Sequence, residues 1–462
     1  MEKSDKPLIS VIMPVYNPGR FLEEAVEGIL NQTYENIELI CIDDQSADGS
    51  TELLKTMASE DKRIQLYENG QNRGAAFSRN RGIQVSRGEY LFFVDADDRF
   101  EADLIQKMAE TAFRESADVV YVDYDVFKDG DQRVRDRRCP FYYFGDILNQ
   151  YQSIEKSPLY YIINIQPAPY SRLYRKEFIQ NNRLQFQDIS CSNDVYFGVM
   201  TSFLATKAAH VEQHEYRIHV RQHDSIYRIS NSRIPDNNFK AYYHVMKEMK
   251  KRGIWTKYAP FVWSRLLCNT VSELNVCGEK AGKQYYEFLR RTGFEELEMP
   301  LTDSSLYLDA PFDLLYQCFC TKTWESGWLG EFNWFEKWLE LRRREVLDLF
   351  AELSKKEIRW GVWGAGRNGQ ALAEFMDQYD LECQGFCDID PHKQGKWLER
   401  YMIFSPDQLL RQLDWVLVLN QTHFNFVHDL VERSGFHIIL FSFELLVCYG
   451  VDRTKCLLKE GE

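Results

Sequence analysis

Three acidic side chains, Asp95, Asp97 and Asp98, lie within four positions of the sequence at the end of an apolar segment. The segment before them, YLFFV (90–94), has the continuous apolar character of a strand that is buried on both faces. Carboxylates this close together repel one another and favour water over a protein interior. The strand therefore ends either at the surface, where water solvates the charges, or beside something positive.

Polar residues also follow two apolar runs nearer the N-terminus. Tyr16 and Asn17 come directly after LISVIMPV (8–15), and Asp44 comes directly after IELICID (37–43). Both runs have the character of strands buried in a parallel sheet. Acidic residues at strand ends are usually only solvated, but several such positions together indicate a site more strongly than any one of them.

Helical periodicity fills the intervals between these strands. Residues 20–31 place apolar side chains at helical spacing, and residues 74–86 also have a helical pattern. The resulting β-α-β-α-β order predicts a doubly wound α/β domain. Ligands bind such domains beyond the carboxyl ends of the strands, so one crevice could collect all three polar positions.

A further acidic residue lies at the start of a later apolar helix. The segment SNDVYFGVMTSFL (192–204) carries Asn193 and Asp194 just before a run of apolar residues. An acid at this position can act only as a helix cap or as a partner of the helix dipole. Its spacing alone does not decide between that role and a role in catalysis.

The α/β pattern returns after a helical region. Residues 236–350 are dominated by helical stretches with several tryptophans, for which a packing module is the simple interpretation. From residue 358 a strand, a glycine turn and a helix follow one another, and an acid ends the next strand, as in Rossmann-like nucleotide-binding domains. Four residues carry this predicted second nucleotide site: Gly364, Gly366, Gly369 and Asp388.

Composition limits the class of protein. The 462 residues are too many for one core and predict two or three domains, and the net charge of −14 argues against general nucleic-acid binding. The eleven scattered cysteines predict a reduced, cytoplasmic protein. The first residues lack the apolar core of a signal peptide, and no run reaches the length of a membrane span. Contact with a membrane would therefore be peripheral.

The changes of pattern predict three domains. An α/β domain is expected over 1–232, a helical region over 233–355, and a small Rossmann-like domain over 356–462. In the last two regions we expect one helix over 333–353 and a strand over 382–387.

The N-terminal half resembles family 2 glycosyltransferases, which have the GT-A fold. The resemblance covers roughly residues 7–230 and rests on several ordered motifs. They are the opening ISVIMPVYN with ICIDDQSADGS, the stretch NRGAAFSRNRGIQVSRGEYLFFVDADD with its DxD motif, YSRLYRKEF, SNDVYF and RQHDS. Arg172 stands where the family usually has lysine, and Asn193 stands where it usually has glutamate.

The resemblance implies an inverting transfer of a sugar from a nucleotide-diphosphate donor, with Mn²⁺ or Mg²⁺ as the cofactor. Asp97 would bind the metal directly, and Asp95 would contact the ribose or a water molecule on the metal. Asp194 would be the base that deprotonates the acceptor hydroxyl. The donor would also be bound by Pro14 and Tyr16, by Asp44 through the base, and by Arg79 near the diphosphate. His223 is a weaker candidate for a metal or phosphate contact, with His219 as its competitor.

The resemblance also implies a cellular setting. Processive members of the family carry a QxxRW motif and membrane helices, whereas this chain has Arg359 and Trp360 without the glutamine. A non-processive enzyme is therefore expected, acting on a glycan or glycolipid acceptor in bacterial surface polysaccharide assembly. A UDP-linked donor is expected only because such donors are usual in the family. The sequence leaves open whether the chain forms a homodimer through the aromatic helical region.

Two other functions compete with the glycosyltransferase. The C-terminal GxGxxG domain could be the working part, as a nucleotide-binding or regulatory module. Alternatively, the chain could be a protein-interaction scaffold whose catalytic site has decayed, as the asparagine at position 193 suggests. Metal-dependent hydrolysis of a donor would separate the enzyme from the scaffold.

Overall fold

The computed structural model describes residues 6–128, 132–137, 169–220, 236–299, 316, 319–320, 324, 334–419 and 439–442. The chain divides into two compact units, Met1–Leu308 and Asp309–Glu462. The finer boundaries predicted near residues 232 and 355 stay predictions.

The first unit contains a β-sheet whose strands alternate with helices, followed by further helices. Its strands are β1 Ile9–Val15, β2 Ile37–Asp43, β3 Ile64–Glu68, β4 Tyr90–Phe93, β5 Arg99–Phe100, β6 Val119–Lys128, β7 Gln132–Arg137, β8 Arg172–Arg175 and β9 Ala208–Val220. Its main helices are α1 Leu22–Leu30, α2 Ser50–Glu60, α3 Gly74–Val85, α4 Leu104–Glu115, α5 Lys176–Asn181, α6 Asn193–Leu204, α7 Asn237–Lys251, α8 Trp255–Val276 and α9 Glu279–Phe288. Short helical turns cover Gly19–Phe21, Pro169–Ser171 and Phe294–Glu296, and a π-helical turn covers Leu289–Gly293.

Parallel pairing joins the first four strands in the order β3-β2-β1-β4. Every residue of β2 and β4 is buried, as the continuous apolar runs predict for strands covered on both faces. Helix α3 packs closely on β1, since a Cβ atom at Gly82 would lie 2.3 Å from Cγ2 of Ile12. The start of α3 lies at the carboxyl end of β2, because the backbone N–H groups of Arg73 and Gly74 donate to Asp44.

The other side of this sheet is mixed. Beyond β4 the order continues as β8-β6-β9-β5, and β7 pairs with β6. β8 runs antiparallel to β4, and its residue Leu173 pairs with Phe92. Helix α6 packs near this part of the sheet through a group of rings, in which Phe186 stacks on Phe197 at 4.1 Å and Phe93 meets both edge-on. These contacts hold the start of α6 close to the end of β4.

The second unit contains a separate sheet of six strands among the residues described. Its helices are α10 Trp334–Leu341, α11 Arg343–Lys355, α12 Arg367–Gln378 and α13 Pro406–Leu410. Its strands are β10 Trp360–Trp363, β11 Phe386–Cys387, β12 Trp397–Leu398, β13 Tyr401–Phe404, β14 Trp415–Val418 and β15 Ile439–Ser442. The order is β12-β13-β11-β10-β14-β15, with parallel pairing everywhere except between β12 and β13.

Two element boundaries differ from the sequence predictions. The single helix expected over 333–353 is two helices, because the backbone of Arg342 leaves the helical region with φ −93° and ψ 19°. The strand expected over 382–387 begins only at Phe386, since Gly385 before it has a φ of 131°. Both differences arise at single residues inside otherwise regular patterns.

Candidate functional site

Two hydrogen-bonded loops form one rim of the crevice at the carboxyl ends of β1 and β2. The backbone N–H of Asn17 donates to Oγ of Ser46 at 3.0 Å, and the side-chain oxygen of Asn17 accepts from the N–H of Ala47 at 2.8 Å. Asn17 adopts a left-handed backbone with φ 47°, which asparagine tolerates better than most residues. The rim leaves Tyr16 46% exposed, while Pro14 lies partly buried at the end of β1.

Asp44 ties this rim to the start of α3. Its two carboxylate oxygens accept hydrogen bonds from the backbone N–H groups of Arg73 and Gly74 at 2.9 and 2.6 Å, and from Nδ2 of Asn69 at 2.8 Å. The residue is almost wholly buried. Asp44 is therefore fixed at the crevice, and a nucleotide base that donates to it would share a carboxylate that already has three protein donors.

Arg79 is the positive charge beside the acids that end β4. One of its guanidinium nitrogens donates to Oδ1 of Asp95 at 2.8 Å, and another donates to Oδ1 of Asn193 at 3.3 Å. Its Nε is buried and has no hydrogen-bond partner in the described part of the chain. The Arg79 side chain is 9% exposed and that of Asp95 is 38% exposed, so the pair lies at the wall of the crevice. Arg79 thereby joins the end of β4 to the start of α6.

The three acids after β4 have different surroundings. Asp95 keeps a solvent-facing carboxylate next to Arg79, Asp97 is partly buried, and Asp98 is almost wholly buried. The backbone N–H of Asp98 donates to the carbonyl of Asp95 at 3.3 Å, which folds the segment into a tight turn. Asp95 and Asp97 thus both keep part of their surface open to solvent, while Asp98 does not.

The acids of this turn suit a hard divalent cation that is shared with a substrate. Among the residues described, no group of three or more His, Cys, Asp or Glu side chains could hold a metal ion by itself. Mg²⁺ is usually held by one or two carboxylates together with phosphate oxygens and water. Asp97 and Asp95 offer that number of carboxylates, so the residues present fit such an ion.

Asp194 lies in the first turn of α6, after Ser192 has turned the chain with a φ of 57°. It retains some exposed surface, but its carboxylate lies deep enough that desolvation is the largest influence on it. Burial raises the pKa of Asp194; Arg79 opposes that rise and Asp95 adds to it. A carboxylate with a raised pKa is a stronger base than an ordinary aspartate.

Arg172 has an environment that its sequence position does not predict. This residue of β8 is fully buried, and its guanidinium donates to the carbonyl of Gly198 at 2.9 Å and to the hydroxyl of Ser202 at 3.1 Å. The guanidinium also lies 4.9 Å from the ring centre of Tyr121. Arg172 thus braces α6 from below, and its charge opposes the rise in the pKa of Asp194. The signal in the sequence was the arginine in place of the usual lysine at position 172.

The glycine turn of the second unit combines a positive backbone φ with close packing. Gly364 has a φ of 114°, and a Cβ atom at Gly369 would lie 2.3 Å from the carbonyl oxygen of Gly364. Asp388 at the end of β11 accepts from the backbone N–H of Ala365 at 3.0 Å and from Nζ of Lys393 at 2.9 Å. The acid therefore holds the turn in shape, and nucleotide binding there stays a prediction.

The two candidate histidines and the predicted lack of membrane spans concern other parts of the chain. His223 lies outside the described residues, and so does the RQHDS motif that suggested it. His219 lies in β9, opposite Phe127 of β6. None of the helices in the described ranges is both long enough and apolar enough to cross a bilayer.

Comparisons with known proteins agree with this geometry. The sequence profile described as glycosyl transferase family 2 matches residues 10–182. The glycosyltransferase GlyG of Streptococcus pneumoniae serotype 4 is 31% identical over 236 residues, which are 48% of this chain and 73% of that protein. The chain belongs to glycosyl transferase family 2. The resemblance drawn from the motifs is thereby confirmed, and the chain is a glycosyltransferase.

Two further comparisons extend beyond the profile. EpsH of Bacillus subtilis strain 168 is 26% identical over 325 residues, which are 68% of this chain and 90% of EpsH. The crystal structure of Staphylococcus aureus TarS 1–349 in complex with UDP has a TM-score of 0.51 and 16% sequence identity, and it covers 68% of this chain and 87% of that one. At this identity the likeness shows a shared fold, and it agrees with the GT-A expectation.

Proposed function

We propose that this glycosyltransferase is metal-dependent and inverting, and that it transfers a sugar from a UDP-linked donor to a hydroxyl group of a glycan or glycolipid. One observation carries the proposal. Arg79 contacts Asp95 on one side and Asn193, next to Asp194, on the other. These contacts support placing the acids suited to a metal and the candidate base in one crevice.

The donor end of this crevice would receive the nucleotide and its diphosphate. Tyr16 and Pro14 lie at the rim where a base could stack, and Asp44 lies behind it. Asp97, with Asp95, would hold Mn²⁺ or Mg²⁺, which neutralises the charge that develops on the diphosphate as it leaves. The buried Nε of Arg79 has no partner within the described residues, so the guanidinium can turn towards a phosphate oxygen and satisfy it.

The acceptor end would use Asp194 as the base. The acceptor oxygen forms a bond to the anomeric carbon while the bond from that carbon to the diphosphate oxygen breaks, and the hydroxyl proton passes to Asp194. Attack from the face opposite the leaving group inverts the configuration. Burial raises the pKa of Asp194, which makes its carboxylate a stronger base than an ordinary aspartate. The charge of Arg79 opposes that rise and so favours the ionised form, which is the form that accepts the proton.

The proposed setting is the synthesis of bacterial surface glycans on the cytoplasmic side, with at most peripheral contact with the membrane. It is supported by bacterial relatives such as GlyG and EpsH. The absence of the glutamine of a QxxRW motif before Arg359 supports addition of one or a few sugars rather than a polymer.

The test is calorimetric titration of UDP, with and without Mn²⁺, into the wild type and Asp97→Ala. We expect binding that depends on Mn²⁺ and that Asp97→Ala weakens at least about tenfold, because the substitution removes one of the few protein ligands of the metal. Asp414→Ala, which removes a partly exposed acid of the second unit that pairs with Arg359, is the control and should bind UDP as the wild type does.

Two results would contradict the proposal. Binding of UDP without any response to Mn²⁺ or to Asp97→Ala would remove the metal from the mechanism. Absence of UDP binding under every condition would remove uracil as the base, and GDP and dTDP would be titrated next to distinguish another donor from a decayed site.

A further inference from the structure

A buried polar cluster lies in the helices behind the site, and the mechanism above does not use it. Glu273 of α8 is fully buried, and its Oε1 accepts a hydrogen bond from Nδ2 of Asn238 in the first turn of α7. Its other oxygen, Oε2, is buried with no hydrogen-bond partner in the described part of the chain. The side chains of Thr270 and Tyr285 are also buried in these helices.

This arrangement is costly to the folded state. A buried polar atom without a partner has lost its hydration and gained nothing in return. Burial also raises the pKa of Glu273 to about 8, with a smaller contribution from Asp236, so the side chain is mainly protonated at neutral pH. An apolar side chain would avoid both costs, so stability alone does not account for an acid at this position.

The residue that Glu273 contacts, Asn238, lies in a turn that also contacts the segment before Asp194. Asn238 and its neighbour Asn237 are both buried in the first turn of α7. Nδ2 of Asn237 donates to the hydroxyl of Ser190 at 3.4 Å, and Ser190 precedes Asp194 by four positions. Glu273 therefore fixes the turn from which α7 reaches the segment that carries the base.

A second set of contacts joins α7 to the same segment. Nε2 of Gln187 donates to the carbonyl of Lys240 at 3.5 Å, and the backbone N–H of Gln187 donates to the carbonyl of Asn193 at 3.2 Å. The ring of Tyr196 lies 4.4 Å from that of His244. The segment 187–196 thus meets α7 at three places along the helix.

We infer that Glu273 is a positioning residue for Asp194, acting through Asn238, the first turn of α7 and Ser190. The inference rests on the proposed function, because it assigns the role of base to Asp194. Glu273 itself touches no reacting atom. Glu273 holds α7 in the position in which this helix contacts the segment 187–194, so that the carboxylate of Asp194 faces the acceptor.

Three substitutions test this inference in the full-length chain. Glu273→Met keeps the length of the side chain but removes the acceptor for Asn238. Glu273→Gln keeps an acceptor oxygen and resembles the protonated acid in shape and charge, so it should restore the wild-type behaviour. Glu298→Met is the matched control, because Glu298 also bonds α7, through Lys250, but at the opposite end of the helix from Asn238.

The first measurement needs no substrate. Amide hydrogen exchange of the segment 187–196 should be at least about tenfold faster in Glu273→Met than in the wild type, since loss of the anchor allows this segment to open locally. Glu273→Gln and Glu298→Met should leave exchange in that segment unchanged. If Glu273→Met does not fold, Ser190→Ala cuts the same path at an exposed residue and should also raise exchange there.

The second measurement is release of UDP from UDP-glucose or UDP-N-acetylglucosamine in the presence of Mn²⁺, together with the affinity for UDP. Glu273→Met should lower kcat at least about tenfold while UDP affinity stays as in the wild type, because only the base is displaced. If Glu273 only stabilised the fold, its loss would not lower kcat while leaving the affinity for UDP unchanged.

The outcomes separate this inference from the proposed function. Unchanged exchange in 187–196 in both Glu273→Met and Ser190→Ala overturns the inference, whatever the activity. Equal acceleration in Glu298→Met also overturns it, since the effect would then be general loosening of α7. Absence of metal-dependent UDP binding in the wild type counts against the proposed function, while the exchange result still decides whether Glu273 positions the segment.

Discussion

Both units contain neighbouring parallel strands, and in each an aspartate follows the second strand of the unit, Asp44 after β2 and Asp388 after β11. In both places the acid accepts hydrogen bonds from backbone N–H groups of a neighbouring loop or helix start. Asp44 holds the start of α3, and Asp388 holds the glycine turn before α12. In this respect the two crevices are built alike.

The two crevices differ in the charged groups that lie near them. In the first unit, Arg79 and the acids Asp95 and Asp194 converge from different elements, and the pKa of Asp194 is raised. In the second unit, Asp388 accepts from Lys393, and hydrogen bonds hold its pKa below the ordinary value even though burial acts against them. Asp194, whose pKa burial raises, is therefore the candidate for catalysis, whereas Asp388, which hydrogen bonds satisfy, holds the glycine turn.

The largest effect should come from Asp194→Asn. The variant keeps the shape of the side chain but cannot accept a proton, so transfer of sugar should fall by about 10²–10⁴-fold. Affinity for UDP should stay near that of the wild type, since Asp194 lies at the acceptor end. Initial rates of UDP release and calorimetric titration measure the two quantities.

The neighbouring variant Asp188→Asn is the control for this change. Asp188 is an exposed acid in the same segment and should retain activity within about twofold, as surface substitutions away from a site usually do. If Asp194→Asn retained wild-type activity, the base would have to be sought elsewhere, and the two crevices would differ less than their charges suggest.

A second prediction tests whether the glycine turn of the second unit is fixed by packing. Gly369→Ala places a Cβ atom 2.3 Å from the carbonyl oxygen of Gly364, so it should destabilise this unit by about 1–3 kcal/mol. Gly366→Ala is the matched control, because a Cβ there meets no atom within 4 Å and its φ of −90° suits any residue. It should cost less than about 1 kcal/mol. Equal losses on thermal unfolding would show that the close approach at Gly369 is not what holds the turn.

Much of the fold was predictable because its signals are local. The apolar runs that became β1, β2 and β4 and the helical spacing of α1 depend only on neighbouring residues. The mixed part of the sheet was not predictable in the same way. The two-residue strand β5 exists only because Arg99 and Phe100 pair with Arg217 and Tyr216, more than a hundred positions along the chain.

The candidate site divides in the same manner. Asp95 and Asp97 could be predicted, since they follow a buried strand whose carboxyl end lies at a ligand-binding edge. The pairing of Arg79 with both Asp95 and Asn193 could not, because it depends on how α3 packs against the start of α6. Glu273 lies in a region whose sequence pattern indicates only helices that pack together, and its burial becomes evident only in the three-dimensional structure.

The third prediction uses the opposite pKa shifts of the two acids. The pKa of Asp194 is raised in the folded state, so the folded protein binds its proton more tightly than the unfolded chain does. Its contribution to stability is present at low pH and is lost as the pH rises above about 4. Relative to Asp194→Asn, the wild type should therefore become less stable from about pH 4 upwards.

Asp388 should behave in the opposite way. Burial alone would raise its pKa, but hydrogen bonds from Lys393 and from the backbone N–H groups of Asp390 and Ala365 outweigh that effect and lower it. Its contribution is present above about pH 4 and is lost as the pH falls through the lowered value. Relative to Asp388→Asn, the wild type should thus lose its advantage on acidification. Urea unfolding of both pairs from about pH 3 to about pH 7 measures the two slopes, and slopes of the same sign would contradict the comparison.

The smallest effect should come from Lys393→Met, which removes the cation beside Asp388 while leaving the backbone donors of Asp390 and Ala365 in place. Because Lys393 is 38% exposed, water and salt screen its charge, and the loss of stability should stay below about 1 kcal/mol and shrink as salt is added. Urea unfolding at low and high ionic strength measures it. A loss larger than that of Gly369→Ala would mean that the ion pair, rather than the backbone contacts of Asp388, holds the glycine turn. The second crevice would then depend on a balance of charges as the first one does.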